Sequence, residues 1–152
     1  MRTINREIVA AIMVSADGKT FHGMKHPDRG GVYLNCWHIP GGGVEKGESK
    51  KEALAREIRE ETGIDISACK ITLIDDLGRG ESEKTLENSG EKVLCKMKFD
   101  VYRVEIDRPA KDIEVVPGSD LEKHVWLGAT ELKNLKLTPP SQELFKRLGY
   151  LD

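Results

Sequence analysis

The sequence predicts an α+β layered sandwich, and three observations predict it. Stretches with strand-like apolar patterning stand on both sides of one short amphipathic helix. That helix carries a start signal and a stop signal. A second, capped helix follows near the end of the chain, so strands and two helices have to bury their apolar faces against one another in layers.

Residues 6–16 are apolar and β-branched enough for a first strand, and Asp17-Gly18-Lys19 is a hairpin turn into a second at residues 20–25. The glycines and proline of residues 26–31 make a loop. Residues 32–39 read as a short strand delivering Pro40, Gly41, Gly42 and Gly43 to the central helix. Ser49 followed by Glu52 has capping-box spacing, and Gly63 suits a left-handed stop, which sets the helix at residues 50–62. Leu54, Ala55, Ile58 and Thr62 share one side as the buried stripe.

Residues 69–77 read as a strand, and the polar, glycine-containing residues 78–92 as a mobile hairpin loop. Residues 93–106 alternate well enough for a long strand, with Val93, Cys95, Met97, Phe99 and Val101 as its core parity. Residues 107–122 form a loop region with an extended piece at 113–116, residues 124–127 a short strand, and residues 129–135 a helical turn. Thr138 caps the last helix, with Pro139 at its first position and Gly149 past its end.

A chain of 152 residues fits one domain spanning 1–152. Hydrophobic residues make up 38%, charged residues 33%, and the net charge is −2, which lacks the basic excess of a general binder of extended nucleic acid. The apolar run at residues 8–14 is too short to span a membrane, and it lacks the basic start and small-residue cleavage site of a secretory signal. Cys36, Cys69 and Cys95 are odd in number and form no CxxC pair, so a reducing compartment, the cytoplasm, is the expected location.

The chemistry concentrates at the end of the central helix. Glu57, Glu60 and Glu61 stand at i, i+3 and i+4, where side chains are neighbours, so three like charges crowd together near the negative end of the helix dipole. Arg56 offsets part of this by pairing with Glu60 at i+4. A solvated acidic helix end is one reading; hard oxygen ligands for Mg²⁺ or Mn²⁺ are the other. The glycines at 41–43 allow close backbone approach to a ligand or a plain turn. A phosphate-cradling P-loop fails, because Glu48 stands where that motif needs lysine.

This segment resembles the signature of the Nudix hydrolases: Gly, five residues, Glu, seven residues, Arg-Glu, an aliphatic, any residue, Glu-Glu, any residue, Gly, an aliphatic. Gly42, Glu48, Arg56, Glu57, Ile58, Glu60, Glu61, Gly63 and Ile64 supply it without a departure, nine specified positions within 23 residues. The resemblance implies a Nudix-type α/β/α sandwich with a mixed central sheet, and metal-dependent attack of water on a diphosphate linked to another group. It implies that Glu57 and Glu61 bind the metal, Glu60 directly or through water, and that the Gly41 carbonyl is a further ligand. Arg56 is expected to orient Glu60, and Glu48 to support the loop or a second metal.

The same resemblance offers either a signature glutamate or a carboxylate of a later loop as general base; Asp120 and Glu122, just before the strand holding Trp126, are the candidates of the second kind. Lys25 is expected to face the phosphates, Trp37 to stack on a base, and Arg79 to close over substrate, each against a bland surface or core alternative. His38 has no second histidine at metal-ligand spacing, which argues against zinc.

The implied substrate is a nucleoside triphosphate or related nucleoside diphosphate derivative. An ADP-ribose or nucleotide-sugar pyrophosphatase is the enzymatic alternative, although residues 77–82 lack the proline and tyrosine marks of specialised relatives. A non-catalytic nucleotide-binding regulatory module is the alternative of another class. Expected partners are thus a small nucleotide and, as among relatives, a second copy in a homodimer, with no membrane.

Overall fold

The protein is described from a computed structural model over residues 1–28 and 33–152. Among these residues seven strands form one sheet: β1 (Arg2–Val14), β2 (Thr20–Lys25), β3 (Gly41–Gly43), β4 (Lys70–Asp75), β5 (Arg79–Thr85), β6 (Lys92–Glu105) and β7 (Leu121–Leu127). Two α-helices, α1 (Lys50–Thr62) and α2 (Pro139–Arg147), cover it. Short 3-10 turns lie at Ala110–Asp112 and Ala129–Asn134. No helix among the described residues is long and apolar enough to cross a membrane.

The spatial order is β4-β6-β1-β2-β7, with β3 added to β1 and β5 to β6. β1 and β6 run parallel from Arg2↔Val93 to Val14↔Glu105, and every other pairing is antiparallel, so the sheet is mixed. Residues of alternate parity on β1 go to opposite faces. Val9, Ala11 and Met13 join Leu54 and Ile58 of α1 in one cluster, while Ala10, Ile12 and Val14 join Leu144 and Phe145 of α2 in another. A strand buried on both faces has no polar parity, which is why residues 8–14 read as an unbroken apolar run. The result is the expected α+β sandwich, helix, sheet and helix.

The ends of α1 are as predicted: Glu52 N–H donates to Ser49 Oγ at 3.1 Å, Ser49 N–H donates to Glu52 Oε1 at 3.1 Å, and Gly63 takes φ 73°. Ala53, Leu54, Ile58 and Thr62 are buried. On α2, Thr138 caps a helix with prolines at its first two positions.

Two predicted elements differ. Of the predicted strand at 32–39, residue 32 lies outside the described residues, as do 29–31 of the preceding loop, and residues 33–39 form no strand. Trp37 and His38 make only isolated bridges, to Leu137 and Gly23. The glycines are the strand instead: Gly41, Gly42 and Gly43 pair with Ala10, Val9 and Ile8.

The second difference is the predicted loop at 78–92, whose first half is β5, antiparallel to β6 from Arg79↔Lys98 to Thr85↔Lys92. β5 is an edge strand of charged residues with little apolar surface to bury, so backbone hydrogen bonding to β6 holds it and no hydrophobic alternation announces it. Gly78 and Gly80 lie flat against Phe99, where an added Cβ would come within 3.2 and 3.3 Å of its side chain.

Candidate active site

The glycine strand and the end of α1 meet through three contacts. Gly41 N–H donates to Glu61 Oε2 at 2.9 Å. The Glu57 carboxylate lies where a Cβ on Gly42 would stand, so a side chain at 42 and this carboxylate position exclude each other. Arg56 Nη2 donates to the Gly43 carbonyl at 3.1 Å.

Arg56 is the tie between loop and helix. Its Nε and Nη2 donate to both oxygens of Glu48 at 2.7 and 2.9 Å, a bidentate pair, and Nη1 donates to Glu57 Oε1 at 2.9 Å. The expected i+4 pairing with Glu60 is present but longer, 3.4 Å. Glu48 also accepts from Glu45 N–H at 3.0 Å, and the Arg56 hydrogen bonds, with that amide, hold its carboxyl down at about 2. The guanidinium is raised in turn by Glu48 and Glu57.

Electrostatically the site has excess negative charge. Burial, then Glu57 and Asp120, push Glu61 up to about 8, opposed by Lys25 and the Gly41 amide. Burial also raises Glu57, against the pull of Arg56. Such a set stores repulsion that a cation would relieve. The donors of Glu57, Glu61 and the Gly41 carbonyl are all oxygens, the hard set that suits Mg²⁺ or Mn²⁺, and the missing Cβ at Gly42 leaves room for one of these carboxylates against the loop. The residues present therefore fit a hard divalent ion. Among the described residues no three His, Cys, Asp or Glu side chains converge into a ready ion cage, and Glu60 and Glu57 are both turned toward Arg56.

A cavity of about 680 Å³ opens beside these groups. Lys25, His26, Gly41, Gly42 and Glu61 line one end; Leu77, Met97 and Phe99 give it an apolar wall, and Pro139, Pro140 and Leu144 of α2 contribute farther along. It is charged at one end and apolar along its length, as a phosphorylated, flat organic ligand requires.

The other predicted residues divide. Lys25 lines the charged end, and His38 also lines the cavity. His38 donates its Nδ1 hydrogen to the Ile39 carbonyl at 3.0 Å, and burial lowers its pKa. Arg79 lines the cavity while its Nη1 donates to the Asp76 and Gly78 carbonyls at 2.8 Å each. Trp37 packs in the apolar cluster on the α2 side and is not among the described residues lining the cavity. Neither Asp120 nor Glu122 lines it: Glu122 Oε2 stands 3.1 Å from His26 Nδ1, and the Asp120 carbonyl accepts from His26 N–H at 2.9 Å. Sequence reading passed over His26, which lies in a loop with no motif around it.

A family model described as the NUDIX domain matches residues 5–148. The chain is 30% identical over 130 residues to the nucleoside triphosphatase NudI of Escherichia coli (strain K12), covering 84% of this chain and 86% of that one. Among solved structures it is similar to a MutT protein from Methanosarcina mazei Go1, with a TM-score of 0.70 at 21% identity, covering 97% of this chain and 94% of that one. It is also similar to the dihydroneopterin triphosphate pyrophosphohydrolase of E. coli, with a TM-score of 0.64 at 17% identity and 92% of each chain covered. These two likenesses concern the fold.

Proposed function

The chain belongs to the Nudix family of hydrolases, and from that premise we propose that it is a Mg²⁺-dependent pyrophosphohydrolase of a nucleoside triphosphate or a related nucleoside diphosphate derivative. Mn²⁺ is the substitute ion. The observation that carries the reading is the meeting of two burdened carboxylates, Glu57 and Glu61, with a glycine strand at the charged end of a cavity with an apolar wall. The triphosphate is favoured because the similar NudI is a nucleoside triphosphatase.

In this reading Glu57, Glu61 and the Gly41 carbonyl hold the ion, with Glu60 joining directly or through water. The bound ion would supply charge neutralisation at the phosphates and easier deprotonation of the attacking water. Lys25, at the same charged end, meets phosphate charge. Arg56 acts on the carboxylates rather than on substrate, since Glu48 holds it in place and it in turn holds Glu57. The apolar wall takes the group attached to the diphosphate and keeps bulk water from the reacting end. The chain is proposed to work as a single cytoplasmic domain, alone or as a homodimer.

A panel of nucleoside triphosphates, ADP-ribose and nucleotide sugars, assayed for released phosphate and pyrophosphate with Mg²⁺, tests this. Mg²⁺-dependent turnover of a triphosphate is the expected result. Preference for ADP-ribose or a nucleotide sugar would move the substrate; metal and nucleotide binding without any turnover would make the chain a nucleotide-binding module.

A further inference from the structure

His26 lies at the charged end of the cavity, a proton-handling group outside the signature. His26 follows directly on β2, whose pairing with β7 shifts register between Met24 and Lys25. Such an irregularity bends a strand end and re-aims the side chains beyond it. His26 is then fixed twice, by the backbone hydrogen bond to the carbonyl of Asp120, the residue before β7, at 2.9 Å, and by Glu122 of β7, whose Oε2 stands 3.1 Å from Nδ1. A carboxylate oxygen accepts, so Nδ1 presents its hydrogen to Glu122 and Nε2 is the nitrogen left to take up a proton. A base oriented by a carboxylate through its other nitrogen is the arrangement by which histidine handles protons in hydrolysis. His26 lines the cavity together with Lys25, Gly42 and Glu61, whereas Glu122 does not.

The geometry points to His26 as the general base of the hydrolysis, with Glu122 as its positioning residue; the assignment rests on the reaction proposed above. His26 Nε2 takes a proton from the attacking water as the water oxygen bonds to phosphorus. The bridging P–O bond breaks, its electron pair stays on the leaving phosphate oxygen, and the imidazolium then gives its proton to that phosphate or to solvent. Glu61, a carboxylate lining this end, would stay with the ion in that reading.

The test compares the full chain with its H26A, H26N and E122A variants. For H26A we expect kcat to fall by ~10²–10⁴-fold, with KM and Mn²⁺ affinity, read by water proton relaxation, unchanged. Added imidazole should restore part of the lost rate, which a structural role would not allow. In the metal-free chain, ¹⁵N NMR should show the His26 hydrogen on Nδ1, and E122A should redistribute it toward Nε2. Should H26A not fold, H26N carries the kcat comparison. The assignment is overturned if kcat stays within about threefold of the native chain, if imidazole restores nothing in a folded, Mn²⁺-binding H26A, or if the native ring carries its hydrogen on Nε2. A native chain inactive on every nucleotide would reject the proposed reaction itself; an active native chain beside an unimpaired His26 variant rejects only the role of His26.

Discussion

Gly41 and Gly42 are neighbours in one strand, yet they exclude a side chain for different reasons. A Cβ on Gly41 would run into the Val9 carbonyl oxygen and come within 2.7 Å of Ala10 Cα, which is backbone and cannot yield. On Gly42 it would meet the end of the Glu57 side chain, which can swing away. Gly41→Ala should therefore lower the melting temperature by several degrees, a loss of about 1–3 kcal/mol. Gly42→Ala should melt close to the native chain while losing most of its activity; thermal melts and initial rates on the same samples separate the two.

At the same scale, Glu61→Gln should reduce turnover by ~10²-fold or more, beyond what loss of a ligand's supporting group costs. In chelator its stability should move the other way. Glu61 has its folded pKa raised to about 8, so the folded state holds a proton that the unfolded state has already released above the ordinary carboxylate range. Stability of the native chain therefore falls as pH rises from that range toward about 8. Metal-free Glu61→Gln should match the native melting temperature at pH ~4 and exceed it at pH ~8. An equal offset at both pH values would show that Glu61 carries no such burden.

At the scale of elements, both ends of α1 were legible, because their signals are local, while its expected buried stripe missed Ala53, which is buried where Ala55 is only half-buried. Ser49, Glu52 and Gly63 act within one turn of the helix ends, and the backbone answers them as written. Ser49→Ala should cost about 0.5–2 kcal/mol in urea unfolding, with activity of the folded fraction retained, since Ser49 touches none of the cavity. β5 and β3 were illegible for the opposite reason. Charged residues at the sheet edge and three glycines have no propensity for strands; a partner strand already in place, β6 or β1, gives them one.

At the scale of the molecule, one ion pair joins the two helical and sheet layers beside the cavity. Arg147 of α2 donates from Nε and Nη2 to both oxygens of Asp75 on β4, at 3.0 Å each, across 72 residues of sequence. Arg147 first, and then the amide of Leu77, hold the Asp75 pKa below the ordinary carboxylate range. A depressed carboxylate stabilises the fold above that range, and the contribution is lost as pH falls through the depressed value. Asp75→Asn should accordingly destabilise the chain by roughly 1.5–3 kcal/mol at neutral pH, with the difference shrinking in acid. A constant gap in urea midpoints down to pH ~2.5 would rule the pair out as its source.

The sequence by itself determined the helix that carries Glu57, Glu60 and Glu61, both of its ends, the family to which the chain belongs and hence the kind of reaction, because caps, glycines and signature spacings act over a few residues. Only the tertiary structure decided that Arg56 is claimed by Glu48 before Glu60, that Trp37 packs on the α2 side, that Glu122 faces His26, and that Gly42 makes room for Glu57. Those contacts join segments far apart in the chain or compete for one side chain. Which partner wins depends on how the sheet brings them together, and no local pattern encodes it.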